Sequence, residues 1–187
     1  MLFAVSGSQG SGKSTTLNAL EDLGYTVLKR KVSRSILSDW DVTLDEVNSD
    51  IDLSLKFQDE ILERKFQDEL DAVSSKDIYF TERTYLDSFV YYMYTFGSKT
   101  AFDQKITTYY NKCISYDSKY NGIFLLPSGK FPAQADGVRN TNKLYIESVD
   151  VVLKNFLVKN FNDKLFDVEC VNVNERVNFI REICQRN

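Results

Sequence analysis

Residues Gly7 to Ser14 carry the clearest chemical pattern in the sequence, Gly-Ser-Gln-Gly-Ser-Gly-Lys-Ser. The pattern satisfies G-x-x-x-x-G-K-[ST], in which glycines let the backbone wrap around a polyphosphate and direct its N–H groups inward. It follows a short apolar run and opens a helical pattern, so the positive end of that helix adds to anion binding. The spacing therefore predicts a phosphate-binding loop between a strand and a helix.

This loop does not name a reaction by itself, because kinases, GTPases, ATPases and motors all carry it. A guanine-selecting N-K-x-D tetrapeptide does not occur in the sequence, and no hydrophobic strand ends in the Asp-Glu pair typical of hydrolytic ATPases. A small-molecule kinase that uses ATP and Mg²⁺ is therefore the leading interpretation. Lys13 is expected to bridge the outer phosphates, and Ser14 to offer its hydroxyl to Mg²⁺. The residues predicted to hold the nucleotide are Gly7, Ser8, Gln9, Gly10, Ser11, Gly12, Lys13, Ser14 and Thr15.

Composition limits the chemistry that is available. Histidine is absent from the 187 residues, which excludes His-based nucleophile systems and His-ligated zinc. The three cysteines are far apart and form no CxxC pair, so they indicate reduced thiols in a cytoplasmic protein, in the host cytoplasm if the protein is viral. The net charge of -4 rules out a broadly cationic nucleic-acid binder, and no apolar run reaches the ~18 residues of a membrane helix.

The elements that must position this loop alternate along the chain. Continuous apolar runs predict five strands, at 2–5, 25–28, 78–81, 123–126 and 166–171. Helical patterns fall between and after them, at 13–22, 49–73, 85–96, 100–120, 141–160 and 174–185, with Gly24 and Gly97 as stop signals. The order predicts an α/β fold with a five-stranded parallel sheet sandwiched by helices, in one domain spanning 1–187.

The third predicted strand runs into Thr81-Glu82-Arg83-Thr84. With the phosphate loop, this resembles the acidic-Arg signature of the thymidylate kinase and deoxyribonucleoside kinase superfamily, most closely its phage-encoded deoxynucleoside monophosphate kinases. The resemblance implies that Glu82 helps to hold Mg²⁺ and that Arg83 contacts phosphates as a catalytic residue. It also implies a P-loop kinase architecture with a short lid.

The helix before that strand contains Phe57-Gln58, which resembles the pair with which deoxynucleoside kinases stack on and hydrogen-bond a nucleobase. The other interpretation is that Phe57 belongs to the core and Gln58 is solvated. A near-repeat of Lys56 to Glu60 occurs at 65–69, and its nine-residue period puts the two copies on opposite helix faces. Arg64 and Lys65 are expected on a solvated face.

A lid is expected at about 128–143, where both prolines and two glycines fall at or beside one loop. A closing cationic lid excludes water and places charge on the transferring phosphoryl group. The resemblance implies that Arg139, in Asp-Gly-Val-Arg, is the catalytic lid arginine, with Lys130 and Lys143 as helpers.

The acceptor is predicted from the segment after the second strand, Lys29-Arg30-Lys31-Val32-Ser33-Arg34. Nucleoside kinases place a carboxylate there as a base, whereas an acceptor phosphate is already ionised and needs cations. The basic segment favours a deoxynucleoside monophosphate whose phosphate contacts Arg34 and Arg83. Asp39, Asp41 and Asp87 stay open as bases if the alignment is shifted.

The sequence also allows other functions. Related phage kinases phosphorylate 5-hydroxymethyluracil in DNA, and the basic segment could then grip a DNA backbone. A nucleoside kinase and an ATP-binding regulator without rapid turnover are the others. The aromatic run 89–94 is either a homodimer surface or core.

Overall fold

The computed structural model describes residues 1–28, 32–74, 76–100, 104–129 and 142–186. Within these ranges five strands form one all-parallel sheet in the order β2-β3-β1-β4-β5. The strands are β1 (Leu2–Ser6), β2 (Thr26–Leu28), β3 (Tyr79–Glu82), β4 (Gly122–Leu125) and β5 (Leu165–Asp167). The predicted α/β fold with a parallel five-stranded sheet is confirmed.

Helices cover both faces of this sheet. Their bounds are α1 (Lys13–Asp22), α2 (Val32–Trp40), α3 (Leu44–Ser49), α4 (Ile51–Ser74), α5 (Tyr85–Thr100), α6 (Gln104–Asp117), α7 (Lys143–Phe161) and α8 (Val173–Arg186), with a short 3-10 helix at Asn162–Lys164. The loop predicted to bind phosphate joins β1 to α1, at the carboxyl ends of the strands, where open parallel sheets bind their ligands.

Alternation along β1 divides the main core in two. Phe3 and Val5 pack with Leu17 of α1 and Ile180 of α8, whereas Leu2 and Ala4 face the helices on the other side of the sheet. All five residues of β1 are buried, which explains why its sequence is continuously apolar up to Ser6. The central strand that carries the loop is therefore fixed from both faces.

The basic segment after β2 runs into two helices for which the sequence predicted no element. Residues from Val32 onward form α2, and a second short helix, α3, follows it. These helices bury Ile36 and Val47 against Phe57 of α4, in a hydrophobic cluster separate from the two beside the sheet. Residues 29–31, the first part of the basic segment, lie outside the described residues.

Other boundaries shift by a few residues. Helix α5 continues through Gly97, so the predicted stop there is wrong, and α6 begins later and ends earlier than the predicted 100–120. Strand β5 is three residues long, Leu165–Asp167, where six residues were predicted at 166–171. The stop at Gly24 is confirmed: its φ is +91° and its N–H donates to Glu21 O.

The aromatic run 89–94 belongs largely to the core. Phe89, Val90 and Tyr92 are buried, and Tyr92 stacks on Tyr109 of α6. Tyr94 is the most exposed aromatic residue of the run, at 39%. Among the described residues no helix is both long and apolar enough to span a membrane.

Candidate active site

The loop from Gly7 to Gly12 is built on backbone conformations that need glycine. Gly7, Gly10 and Gly12 have φ values of +137°, +75° and +88°, which side chains other than glycine rarely adopt. A Cβ on Gly7 would lie 2.9 Å from Ser11 Oγ and 3.0 Å from Leu126 O, so this position also excludes any side chain on steric grounds. The predicted phosphate loop therefore has both the position and the local geometry that its sequence requires.

Lys13 is turned into this loop. Its Nζ donates to Gly7 O at 2.7 Å and Ser8 O at 2.8 Å, and the side chain is buried. Ser14 and Thr15, in the first turn of α1, are exposed, so their hydroxyls face solvent at the positive end of the helix. Ser8 Oγ is buried and has no hydrogen-bond partner among the described residues, which leaves it free to donate to a ligand.

The end of β3 lies beside the loop because β1 and β3 pair in parallel. Val5 is in register with Glu82, and the Arg83 N–H donates to Val5 O at 2.9 Å. Arg83 has a φ of +70°, a conformation that costs energy in a residue with a side chain and marks functional sites when it persists. Its guanidinium lies 5.0 Å from the ring centroid of Tyr91 and donates to Asp87 Oδ1 at 3.2 Å.

Asp87 joins three parts of this region. Its Oδ2 accepts hydrogen bonds from Ser6 Oγ at 2.7 Å and from both the backbone N–H and the hydroxyl of Thr84, each at 2.8 Å. The Asp87 N–H in turn donates to Thr84 Oγ1 at 3.1 Å, which completes a reciprocal cap on α5. The carboxylate thus links the end of β1, Arg83 and the first turn of α5.

Asp117, the last residue of α6, satisfies the next two amides of α5. Its carboxylate accepts from the backbone N–H groups of Tyr85 at 2.7 Å and Leu86 at 2.9 Å. Burial raises the pKa of Asp117 to about 8, against the lowering effect of these two hydrogen bonds. At the start of α5 the backbone N–H groups of Thr84, Tyr85 and Leu86 therefore all donate to buried carboxylates.

Lys65 contradicts the expectation of a solvated position. It is 5% exposed, and its Nζ donates to Glu69 Oε1 and Thr81 Oγ1 at 2.7 Å each and to Glu82 O at 3.2 Å. Glu69 also pairs with Lys119 at 3.0 Å. Burial raises the pKa of Glu69, but the two lysines outweigh it and lower that pKa to about 2. Arg64 is 29% exposed and forms ion pairs with Glu60 and Asp39.

Helical spacing puts Gln58 on the same face of α4 as Lys65. Lys65, which contacts the carboxyl end of β3, is seven residues further along α4 and lies on the face of Gln58 and Leu62. Gln58 is therefore about 10 Å from Lys65 toward the amino end of α4, on the same face of the helix. Phe57 points elsewhere: it is 3% exposed and packs with Ile36, Val47 and the edge of Trp40.

The remaining predicted cations are not brought to this point by any described contact. Arg34 lies on the exposed side of α2. Lys143 is exposed at the start of α7 and pairs with Glu147 at 3.6 Å. Lys130 and Arg139 lie outside the described residues, as does most of the predicted lid.

From the sequence, no role was predicted for the buried residues Glu69, Asp117 and Arg176, and Asp87 was considered only as a possible base. The spacing Thr84-x-x-Asp87 matches a helix cap and could have indicated a structural role for Asp87. For Glu69 and Asp117 no local pattern distinguishes a buried carboxylate from a solvated one, because most of their partners come from other elements.

The sheet, the glycine loop and the adjacent Glu82-Arg83 turn define the P-loop nucleoside kinase-like fold. A family model described as an AAA domain matches residues 2–176, and the chain belongs to that family. None of the curated proteins matches the chain.

Solved structures agree on the fold. A deoxyadenosine kinase from M. mycoides with bound dCTP is similar with a TM-score of 0.70 and 18% identity, over 100% of both chains. A NadR protein in complex with NR is similar with a TM-score of 0.72 and 17% identity, over 98% of this chain and 50% of that chain. At these identities the similarity establishes the architecture.

Proposed function

We propose that the protein transfers the γ-phosphoryl group of ATP to a deoxynucleoside monophosphate, giving the diphosphate. The observation that carries this proposal is that the strand leading into the glycine loop lies directly beside the Glu82-Arg83 turn, with Val5 in register with Glu82 and bonded to the Arg83 N–H. One element can hold a polyphosphate, and the other can offer a carboxylate and a cation to the transferring group.

The described residues fit a nucleotide with its metal. The positive-φ glycines, the exposed Ser14 hydroxyl and the buried Ser8 hydroxyl all suit phosphate oxygens and their counter-ion. Among the described residues there is no group of three or more His, Cys, Asp or Glu side chains that could hold a metal ion. Ser14 and Glu82 would hold Mg²⁺ together with the phosphates, and the ion supplies neutralisation of developing charge when bound.

In the reaction an oxygen of the acceptor phosphate forms a bond to the γ-phosphorus while the bond to the bridging β–γ oxygen breaks. ADP leaves with that electron pair. Lys13 binds and orients the donor phosphates. Arg83, which donates hydrogen bonds to Asp87 and Tyr91, is held in position as a cation beside the transferring group. Burial lowers the pKa of Arg83, but Tyr91, Asp87 and Glu82 outweigh it and raise that pKa, so the cation persists at neutral pH.

The choice of a phosphate acceptor depends on the carboxylates near β2. The first carboxylate after that strand is Asp39, and Arg64 binds it through an ion pair. Asp87, the other candidate, already accepts hydrogen bonds at both oxygens. A sugar hydroxyl needs a free base, whereas a monophosphate needs cations such as Arg34, Arg83 and the predicted lid residue Arg139.

A deoxynucleoside acceptor is the second candidate, because the deoxyadenosine kinase structures share the architecture over the whole chain. A shift of α2 that released Asp39 from Arg64 would then provide the base. The two candidates differ in the charge of the acceptor.

The deciding experiment measures ADP release by the pure protein with ATP and Mg²⁺, against the four deoxynucleoside monophosphates, the four deoxynucleosides and DNA containing 5-hydroxymethyluracil. Turnover with a monophosphate and none with its nucleoside supports the proposal. Turnover with nucleosides alone overturns it in favour of the second candidate. Turnover with DNA alone, suppressed by salt, assigns a DNA kinase, and no turnover with any acceptor assigns a nucleotide-binding role.

A further inference from the structure

Arg176 connects α8 to the phosphate loop. It lies in the first turn of α8 and is 2% exposed. Its Nη1 donates to Ser11 O at 2.8 Å, and its Nε donates to Cys170 O at 2.7 Å. One guanidinium therefore holds the backbone of the phosphate loop and the backbone of the segment after β5.

This position runs against the local preferences of the residue. A cation in the first turn of a helix is disfavoured by the positive end of the helix dipole, and arginine is among the residues least often buried. Residues that depart from local preferences in this way are expected at functional sites, where their contacts to the site outweigh the cost to their own helix.

The hydrogen bond to Ser11 O determines the direction of an amide. Ser11 C=O and Gly12 N–H belong to one planar trans peptide, so the two bonds point in opposite directions. Because Arg176 draws the carbonyl toward α8, the Gly12 N–H points away from α8. Gly12 can adopt this peptide orientation because glycine has no Cβ that would disfavour its φ of +88°.

We propose that Arg176 is a positioning residue for nucleotide binding: it orients the Ser11–Gly12 peptide so that the Gly12 N–H donates to the donor polyphosphate. Its second bond, to Cys170 O, fixes the guanidinium so that the orientation is kept. The inference depends on the proposed function, because it assumes that the loop binds a polyphosphate.

The test compares Arg176→Met and Arg176→Lys with a control in the same helix, Ile180→Ala. Ile180 is fully buried and packs in the core beside the sheet, so its truncation destabilises α8 without removing a contact to the loop. Binding of inorganic tripolyphosphate and of a non-hydrolysable ATP analogue is measured by calorimetry at a temperature where all variants are folded. ATP and acceptor KM values are measured in parallel.

Loss of one oriented donor predicts that Arg176→Met binds tripolyphosphate about tenfold more weakly and raises the ATP KM similarly, with the acceptor KM unchanged. Arg176→Lys, which keeps a cationic donor, should recover most of this loss. Ile180→Ala should bind as the wild type does. If Arg176→Met does not fold, Arg176→Gln, which keeps an uncharged N–H donor, is compared with Arg176→Lys in the same assay.

The outcomes separate the two proposals. Wild-type protein that binds neither tripolyphosphate nor the analogue overturns the proposed function. Wild-type protein that binds them, with Arg176→Met binding equally well, overturns the positioning role alone. Equal weakening in Ile180→Ala also overturns it, because the effect would then follow stability and not amide orientation.

Discussion

Ser6 Oγ donates a hydrogen bond of 2.7 Å to Asp87 Oδ2, and both side chains are fully buried. Ser6 is the last residue of β1 and immediately precedes Gly7, while Asp87 also binds the side chain of Arg83. The contact therefore ties the start of the phosphate loop to the cation beside it. A displacement of either part is transmitted to the other through one carboxylate.

Replacing Ser6 by Ala should lower both stability and activity. The change removes one donor to a buried charged carboxylate, so the free energy of unfolding should fall by about 1–3 kcal/mol. It is measured by urea unfolding, with kinase activity recorded at a temperature where the variant stays folded. Ser49→Ala is the control, since its hydroxyl makes an exposed bond to Glu46 O. Equal effects in both variants would contradict the role of the buried contact.

Replacing Lys13 by Met should strongly weaken the reaction with ATP. The variant loses the ammonium that we assign to the outer phosphates, so kcat/KM should fall by about 10²–10³. Lys154→Met is the matched control, because Lys154 forms an exposed ion pair with Asp167 of the edge strand β5. A Lys13→Met protein with normal kcat/KM would exclude this loop from the reaction.

The glycine loop and the sheet were predictable from sequence because their signals are local. Continuous apolar runs identify buried parallel strands, and glycines at 7, 10 and 12 occupy the left-handed conformations observed. Helix α3 was missed although Thr43-x-x-Glu46 forms a capping box, a signal present in the sequence. Helix α2 was also missed, although Val32, Ile36, Leu37 and Trp40 follow the helical spacing of an apolar face.

The buried charges could not be predicted in the same way. From α4 alone Lys65 is predicted to be solvated, and it is the packing of β3 and α5 that buries it beside Thr81 and Tyr85. Arg176 likewise acquires its partner, Ser11, from a segment 165 residues away. Such positions depend on tertiary packing, which neither hydrophobic periodicity nor composition predicts.

Glu69 predicts a loss of stability in acid. Its pKa in the folded protein is about 2, because Lys65 and Lys119 outweigh the effect of burial, whereas its ordinary value is 4.5. The stabilisation is therefore complete above pH 4.5 and is lost as the pH falls toward 2, by up to about 3 kcal/mol. Unfolding free energies between pH 5 and pH 2.5 test this directly. Glu69→Gln should be less stable at pH 5 and should show a smaller slope over this range; an unchanged slope would contradict the assignment.

The role of Gln58 in acceptor recognition can be tested against a matched control, Gln67, in the same helix. Gln58 and Gln67 occupy equivalent places in the two copies of Lys-Phe-Gln-Asp-Glu, but nine residues along α4 put them on opposite faces. Gln58 is half-buried on the helix face of Lys65, whereas Gln67 is exposed. If the Gln58 amide hydrogen-bonds the acceptor base, Gln58→Ala should raise the acceptor KM about tenfold and leave the ATP KM unchanged. Gln67→Ala should change neither value. Equal KM values in both variants would remove Gln58 from the acceptor site and leave base recognition to other residues.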